Sequence, residues 1–423
     1  MKTAHRKQIA LISVHGDPAI DIGGEEAGGQ NVYVRQVGET LAELGWDVDM
    51  FTRQSDQRNA QVVQHQEFCR TIRLTAGPET FIPRQEIFEH CDQFVEEFLK
   101  LARQENRRYA LIHSNYWLSA WVGLELRRRL SLPMTHTYHS LGAVKYQSVK
   151  EPPHTATRRL EIEKAILETA DCIVATSPQE QDYLRSLVST RGNIQIIPCG
   201  TDIHRFGSIR YEKAREKLGF SPQEKVIYYI GRFDPRKGIE TLVRAVHQSQ
   251  LLGKEPLRLI IAGAYSPGQS DGEEKDRITK IVEELGLSEI TEFPGRISDD
   301  TLPAYFAAAD VCVVPSHYEP FGLVPIEAMA SGTPVVGSAV GGLKFTVISE
   351  ETGLLVPPKD DQAFAKAIDR ILSDSQWRNQ LGENARKRME EQFSWEGVAS
   401  QLSELYQEIL SGSFLDEAKE LSP

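Results

Sequence analysis

The sequence predicts an α/β protein built from two doubly wound parallel-sheet domains, and three observations lead there. Short apolar runs of strand length alternate with amphipathic helical stretches and glycine or polar turns along nearly the whole chain. Runs such as Val226-Ile227-Tyr228-Tyr229-Ile230 and Val311-Cys312-Val313-Val314 are apolar throughout, as parallel strands covered by helices on both faces are. The alternation also stops and restarts around an irregular, charged stretch at 204–224. The 423 residues therefore divide into domains over 1–205 and 206–390, followed by a helical tail at 391–423.

The first series opens with strand Ile9–Val14, a glycine-rich loop ending at Gly28-Gly29, and a helix from Gln30-Asn31 through Val34, Val37, Leu41 and Leu44. Gly45 stops that helix and strand Asp47–Thr52 follows, completing a βαβ unit. Strands Tyr109–His113 and Met134–Tyr138, helix Arg158–Thr169, and strands Asp171–Ser177 and Ile194–Pro198 finish the half. The second series runs through strand Val226–Ile230, helix Ile239–Gln250, strand Leu257–Ala262, helix Ile278–Leu285 and strand Thr291–Phe293. Helix Leu302–Ala309, strand Val311–Val314, helix Val324–Ser331 and strand Pro334–Gly337 close it. The tail, 363–372 and 377–410, reads as helical and charged. Ligands of open parallel sheets sit beyond the carboxyl ends of the strands, so two such domains facing each other would share a central cleft.

Composition narrows the function. With 40% hydrophobic and 26% charged residues, the chain is neither disordered nor fibrous in its main state. No apolar run approaches the ~20 residues that span a bilayer, so no membrane is expected. Lys2, Arg6 and Lys7 precede an apolar stretch too short for a secretory signal. Lys+Arg 48 against Asp+Glu 60 gives a net charge of −12, which speaks against a nucleic-acid partner. An anionic ligand must then be held by local cations. Five scattered cysteines without a CxxC pair suit a reducing, cytoplasmic setting rather than disulfides or zinc. No metal is assigned: in Asp47-Val48-Asp49 the acids alternate with Val48 and Met50, the pattern of a two-faced strand.

Four segments carry chemistry. Glu319 and Glu327 stand eight apart around a helix start, one in the loop and one expected in the first helical turn. Free N–H groups at such a start can hold a phosphate, and a carboxylate can accept both hydrogen bonds of a diol. Arg232 and Lys237, between Gly231 and Gly238, put two cations between a strand and a helix, which suits a diphosphate leaving group. Gly28-Gly29 lacks GxGxxG spacing, which weakens a dinucleotide reading, but lets backbone approach a ligand closely. His139-Ser140 ends a strand, and Arg84, Lys145 and the pair Arg158-Arg159 supply cations to the first domain.

These segments carry a resemblance. Glu319 to Glu327, with Ala328-Met329-Ala330-Ser331-Gly332-Thr333-Pro334 behind it, resembles the E-x7-E signature of retaining GT-B glycosyltransferases. Gly28-Gly29-Gln30-Asn31-Val32-Tyr33-Val34 is similar to the glycine loop of the sucrose-phosphate synthase and sucrose synthase group. Tyr138-His139-Ser140-Leu141-Gly142 with Lys145 resembles its acceptor-side segment, and the likeness runs from Ile9 to Phe393.

The resemblance implies a GT-B fold of two Rossmann-like domains. It implies transfer of glucose from UDP-glucose, or another nucleotide glucose, to fructose 6-phosphate with retention, giving sucrose 6-phosphate and UDP. Arg232 and Lys237 would take the donor phosphates, Glu319 the sugar hydroxyls and Glu327 the ribose. Gly29, Phe321, Gly322 and Leu323 would complete the donor loop, and Arg296-Ile297 would meet the nucleobase through backbone. His139 would orient the sugar. Gly28, Gln30, Arg84, Tyr116, Ser140, Lys145 and one or other of Arg158 and Arg159 would hold the acceptor. No cofactor is required, with Mg²⁺ at most a stimulator. No carboxylate nucleophile is evident, in keeping with front-face attack in which a leaving phosphate oxygen takes the acceptor proton. With no room for a phosphatase domain before Pro423, the product would stay phosphorylated. The alternatives are the same fold with an inositol phosphate acceptor, a nucleotide-sugar epimerase, and a non-catalytic nucleotide-sugar binder. Protein partners are not legible.

Overall fold

The computed structural model describes residues 6–20, 29–146, 153–319 and 322–412. The chain forms two compact units: unit 1 comprises Met1–Gly200 with Trp395–Pro423, and unit 2 comprises Thr201–Ser394.

Unit 1 holds β1 (Gln8–Ile12), β2 (Asp47–Arg53), β3 (Val62–Gln66), β4 (Cys69–Leu74), β5 (Tyr109–Asn115), β6 (Met134–Thr137), β7 (Cys172–Ala175) and β8 (Ile194–Ile196). They form one sheet in the order β3-β4-β2-β1-β5-β6-β7-β8. All pairs are parallel except β3 with β4 at the edge. Unit 2 holds β9 (Lys225–Ile230), β10 (Leu257–Ala262), β11 (Thr291–Gly295), β12 (Val311–Val314), β13 (Val335–Ser338) and β14 (Gly353–Val356). Their order is β11-β10-β9-β12-β13-β14, all parallel. Apart from β3, each sheet winds outward in both directions from its first strand, and the direction reverses beside β1 in one and β9 in the other. That reversal opens a crevice at the carboxyl ends of the flanking strands.

The apolar strand residues behave as two-sided cores do. Ala10, Ile12, Phe51, Ile112 and Ile173 are fully buried in unit 1, and Ile227, Leu259, Val311 and Val313 in unit 2. Burying each large one contributes about 1.5–3 kcal/mol, which makes the sheets the stable frame against which loop chemistry is arranged.

Several elements depart from the sequence reading. The stretch at 204–224 is not irregular; it contains helices Ile203–Phe206 and Tyr211–Leu218, anchored by Arg215 to Asp310 at 2.5 Å. Helices Cys91–Gln104 and Tyr116–Leu130 and strands β3, β4 and β14 were not anticipated. The long tail helix is two, Ser375–Gln392 and Trp395–Ser411, broken at Phe393-Ser394. The second of these belongs to unit 1. It packs on helix Gly29–Glu43, Trp46 Nε1 donates to Ser403 Oγ at 3.0 Å, and His113 Nδ1 meets Tyr406 Oη at 2.5 Å. Asp47 and Asp49 are consumed by Arg70, Arg107 and Tyr109, and no metal-binding cluster occurs among the described residues. Among the described residues no helix is long and apolar enough to cross a membrane.

Candidate functional site

In unit 2 the crevice lies between β9 and β12, and the sequence places charges on both rims. After β9 the chain turns through Asp234, whose carboxylate accepts from the Arg236 N–H at 2.9 Å and pairs with the Arg236 guanidinium at 2.5 Å. The Arg236 hydrogen bond holds the Asp234 carboxyl below its ordinary range. Gly238 has φ 68°, and a Cβ there would stand 2.1 Å from the Pro315 carbonyl, so only glycine lets this turn press against the end of β12. The His317 N–H donates to the Arg236 carbonyl at 2.7 Å and locks the two loops together. Lys237 Nζ consequently reaches Glu319 Oε2 at 2.6 Å, with Ser316 Oγ donating to the same oxygen at 3.4 Å. Arg232 is exposed on the same edge, and Arg296 and Ile297 follow β11 there, Arg296 exposed and Ile297 half-buried.

Gly322 caps helix Leu323–Ala330, whose half-buried first residue is Leu323. Glu327 is the fifth residue of that helix, in its second turn rather than the expected first, so it is set back from the helix start. Its carboxylate makes no hydrogen bond among the described residues. Burial pushes it up to about 7, with Arg205 pulling it down and Asp299 pushing it up. A carboxylate in that condition is ready to accept hydroxyl donors.

In unit 1 the crevice lies between β1 and β5. His15 follows β1, Tyr116 follows β5, and His139-Ser140 follow β6. Tyr116 and His139 both adopt positive φ, 74° and 57°, conformations that cost about 1–3 kcal/mol unless the surroundings impose them. The surroundings do so. The Tyr116 ring lies 4.5 Å from the His15 ring and under the guanidinium carbons of Arg159 and Arg84, at 5.0 and 5.7 Å. His139 Nε2 donates to Asn115 Oδ1 at 2.8 Å, and its ring meets the edge of Tyr33 at 4.9 Å. Gln30 Nε2, from the first turn of helix Gly29–Glu43, donates to Ser13 Oγ at 2.9 Å and to the Asn115 carbonyl at 3.4 Å.

Helix Ala156–Thr169 grips the segment after β6. Arg159 pairs with Glu163 at 2.6 Å, donates to the Ser140 carbonyl at 2.5 Å and reaches Tyr116 Oη at 3.2 Å. Glu163 in turn accepts the Gly142 N–H at 2.9 Å, and its carbonyl takes the Tyr138 hydroxyl at 2.6 Å. Burial, aided by His113, holds His139 down to about 3, and burial with the charges of Arg84 and Arg159 lowers His15 as well.

The predicted residues thus gather into two clusters. Arg84, Tyr116, Ser140, Arg159, Gln30 and His139 collect in unit 1; Lys237, Glu319, Gly322 and Leu323 collect in unit 2. Of the arginine pair, Arg159 faces the cluster while Arg158 lies over Phe88, 58% exposed. Lys145 ends the short helix Gly142–Lys145, exposed, and Gly29 opens its helix, exposed. Gly28 and Phe321 lie outside the described residues. Sequence reasoning missed His15, Asn115 and Glu163. The first two had a signal, since each stands at or just beyond the carboxyl end of a strand flanking the reversal point; Glu163 had only its four-residue spacing from Arg159.

Comparison with known proteins adds a frame. Residues 27–205 match the model of Glycosyltransferase Family 4, and residues 210–388 that of Glycosyl transferases group 1. The chain is 52% identical to the solved structure of a sucrose-phosphate synthase from Thermosynechococcus elongatus, covering 96% of this chain and 100% of that one, with a TM-score of 0.85. It is also 37% identical to a D-inositol 3-phosphate glycosyltransferase of Corynebacterium aurimucosum, over 96% of both chains. One from Corynebacterium glutamicum is 35% identical, over 97% of this chain and 98% of the other.

Proposed function

The chain belongs to the GT-B glycosyltransferases of the group 1 and family 4 type, and on that premise we propose that it moves glucose from UDP-glucose to fructose 6-phosphate, with retention, releasing sucrose 6-phosphate and UDP. The observation that carries the reading is the 52% identity to a sucrose-phosphate synthase across the full length of that chain. In this reading unit 2 serves the donor. Arg232 and Lys237 stabilise the departing diphosphate, Glu319 and Glu327 take sugar and ribose hydroxyls, and the Gly295-Arg296-Ile297 turn meets the base. Unit 1 serves the acceptor: Arg84 and Lys145 offer exposed cations to its phosphate, while Arg159 holds Tyr116 and Ser140 in place. His139 is neutral and a weak base, which fits an orienting role and leaves the acceptor proton to a phosphate oxygen of the leaving group.

A second reading shares the fold and the phosphorylated acceptor. The relatives at 33–37% identity are D-inositol 3-phosphate glycosyltransferases, so an inositol phosphate is the alternative acceptor. The test is a panel of UDP-, ADP- and GDP-sugars against fructose 6-phosphate and inositol 3-phosphate, read by diphosphate release and product mass. Hexose added to fructose 6-phosphate from UDP-glucose is the expected result. Turnover with inositol phosphate alone selects the second reading, and product formed without any acceptor selects an epimerase.

A further inference from the structure

Lys237 and Glu319 neutralise each other as an ion pair. The Nζ–Oε2 distance is 2.6 Å and the side chains are 27% and 12% exposed. The Glu319 backbone is held from the opposite side. Its carbonyl accepts the Gly342 N–H at 3.0 Å, and Gly341, at φ 46°, approaches so closely that a Cβ would lie 2.1 Å from that oxygen. Glu319 thus stands as the counter-ion to the cation that a diphosphate needs.

We propose that Glu319 is a specificity-determining residue that separates a sugar-bearing nucleoside diphosphate from the bare nucleoside diphosphate by competing for Lys237. This rests on the donor reading given above. Either ligand draws Lys237 towards its phosphates. With the bare diphosphate, Glu319 is then left beside new negative charge with only Ser316 Oγ, at 3.4 Å, among the described residues. A poorly solvated carboxylate without its partner is costly. With the sugar attached, hydroxyl donors replace Lys237 at Glu319 and the cost is cancelled. The same residue thus favours binding of donor and, once the sugar has moved, departure of the nucleotide product.

Calorimetric titration of UDP and UDP-glucose into the full-length protein tests this, using wild type, Glu319→Gln, Lys237→Met and the double variant. Glu319→Gln is expected to bind UDP about tenfold more tightly than wild type while binding UDP-glucose no more tightly, and the gain is expected to vanish on the Lys237→Met background. Glu319→Asp, which withdraws the carboxylate by one methylene, should shift UDP the same way by a smaller factor. UDP bound equally or more weakly by both Glu319 variants overturns the proposal while leaving the donor reading intact. A wild-type protein that binds neither UDP nor UDP-glucose overturns the donor reading and this proposal with it.

Discussion

The two units share a winding order and a reversal point, yet they furnish their crevices in opposite ways. Unit 1 builds its cluster from neutral imidazoles, an aromatic ring and a buried arginine whose guanidinium is tied to Glu163, Ser140 and Tyr116. Unit 2 builds its own from charges: the Lys237–Glu319 pair and the elevated Glu327, whose carboxylate has no hydrogen-bond partner among the described residues. The difference teaches that the sheet supplies only position. One crevice is held by internal partners, whereas the other keeps charged groups that a phosphate or hydroxyl ligand could engage.

The contrast breaks most readily at Glu163. Replacing it with alanine strands Arg159 in a buried setting, and a stability loss of about 3–5 kcal/mol is expected by denaturant unfolding. Exchanging Arg159 and Glu163 together for leucine and methionine should cost less than the single change. Equal costs would mean that the unit 1 cluster is no more prebuilt than its counterpart. The next largest effect is on pH dependence. Glu327 is raised from 4.5 to about 7, so its contribution to stability is present below pH 4.5 and is lost as pH rises through 7. That contribution is at most about 3 kcal/mol. His113 and His139, held to about 3 against 6.5, work with the opposite sign: their contribution is present above pH 6.5 and lost as pH falls. Unfolding midpoints at pH 5 and pH 8 should therefore show Glu327→Gln gaining on wild type at the higher pH. A difference independent of pH would remove the electrostatic contrast.

Two smaller effects sharpen the comparison within unit 1. Arg84 is exposed beside the Tyr116 ring, so Arg84→Glu should raise the acceptor KM about tenfold, about 1.4 kcal/mol, with kcat within about twofold. Arg158→Ala, at a 58% exposed side chain paired loosely with Glu161 at 3.9 Å, should change stability by less than about 0.5 kcal/mol and leave KM unaltered. Swapped outcomes for these two would mean that the cluster reads the wrong arginine.

Much of this was legible in the chain. Apolar runs without alternation announced parallel strands, and the charged residues Arg232 and Glu319, which follow β9 and β12, could be placed on loops from sequence alone. What stayed hidden depends on tertiary contact. The short polar strands β3 and β4 pair only because β2 offers an edge. Tyr116 is buried in the unit 1 core, and the positive φ that its neighbours impose is not visible in the sequence. Glu327 looks like a helix-start acid because Gly322 rather than a capping Ser or Asp sets the boundary, so counting from the loop misjudges the turn. Asn115 meets His139 across 24 residues, a pairing that local pattern does not show, whereas Glu163 stands four residues from Arg159, a helical spacing that does not reveal the pair's burial.

The return of helix Trp395–Ser411 to the first unit bears on how a ribosome delivers this molecule. Trp46 and His113 wait for Ser403 and Tyr406, which emerge after the whole of unit 2, while Thr201 and Phe393, joined by a backbone hydrogen bond of 2.7 Å, close the other unit first. The portion translated later is thus complete earlier, and the amino-terminal sheet lacks one of its covering helices until all of unit 2 has been made, an interval in which nascent chains depend on chaperones.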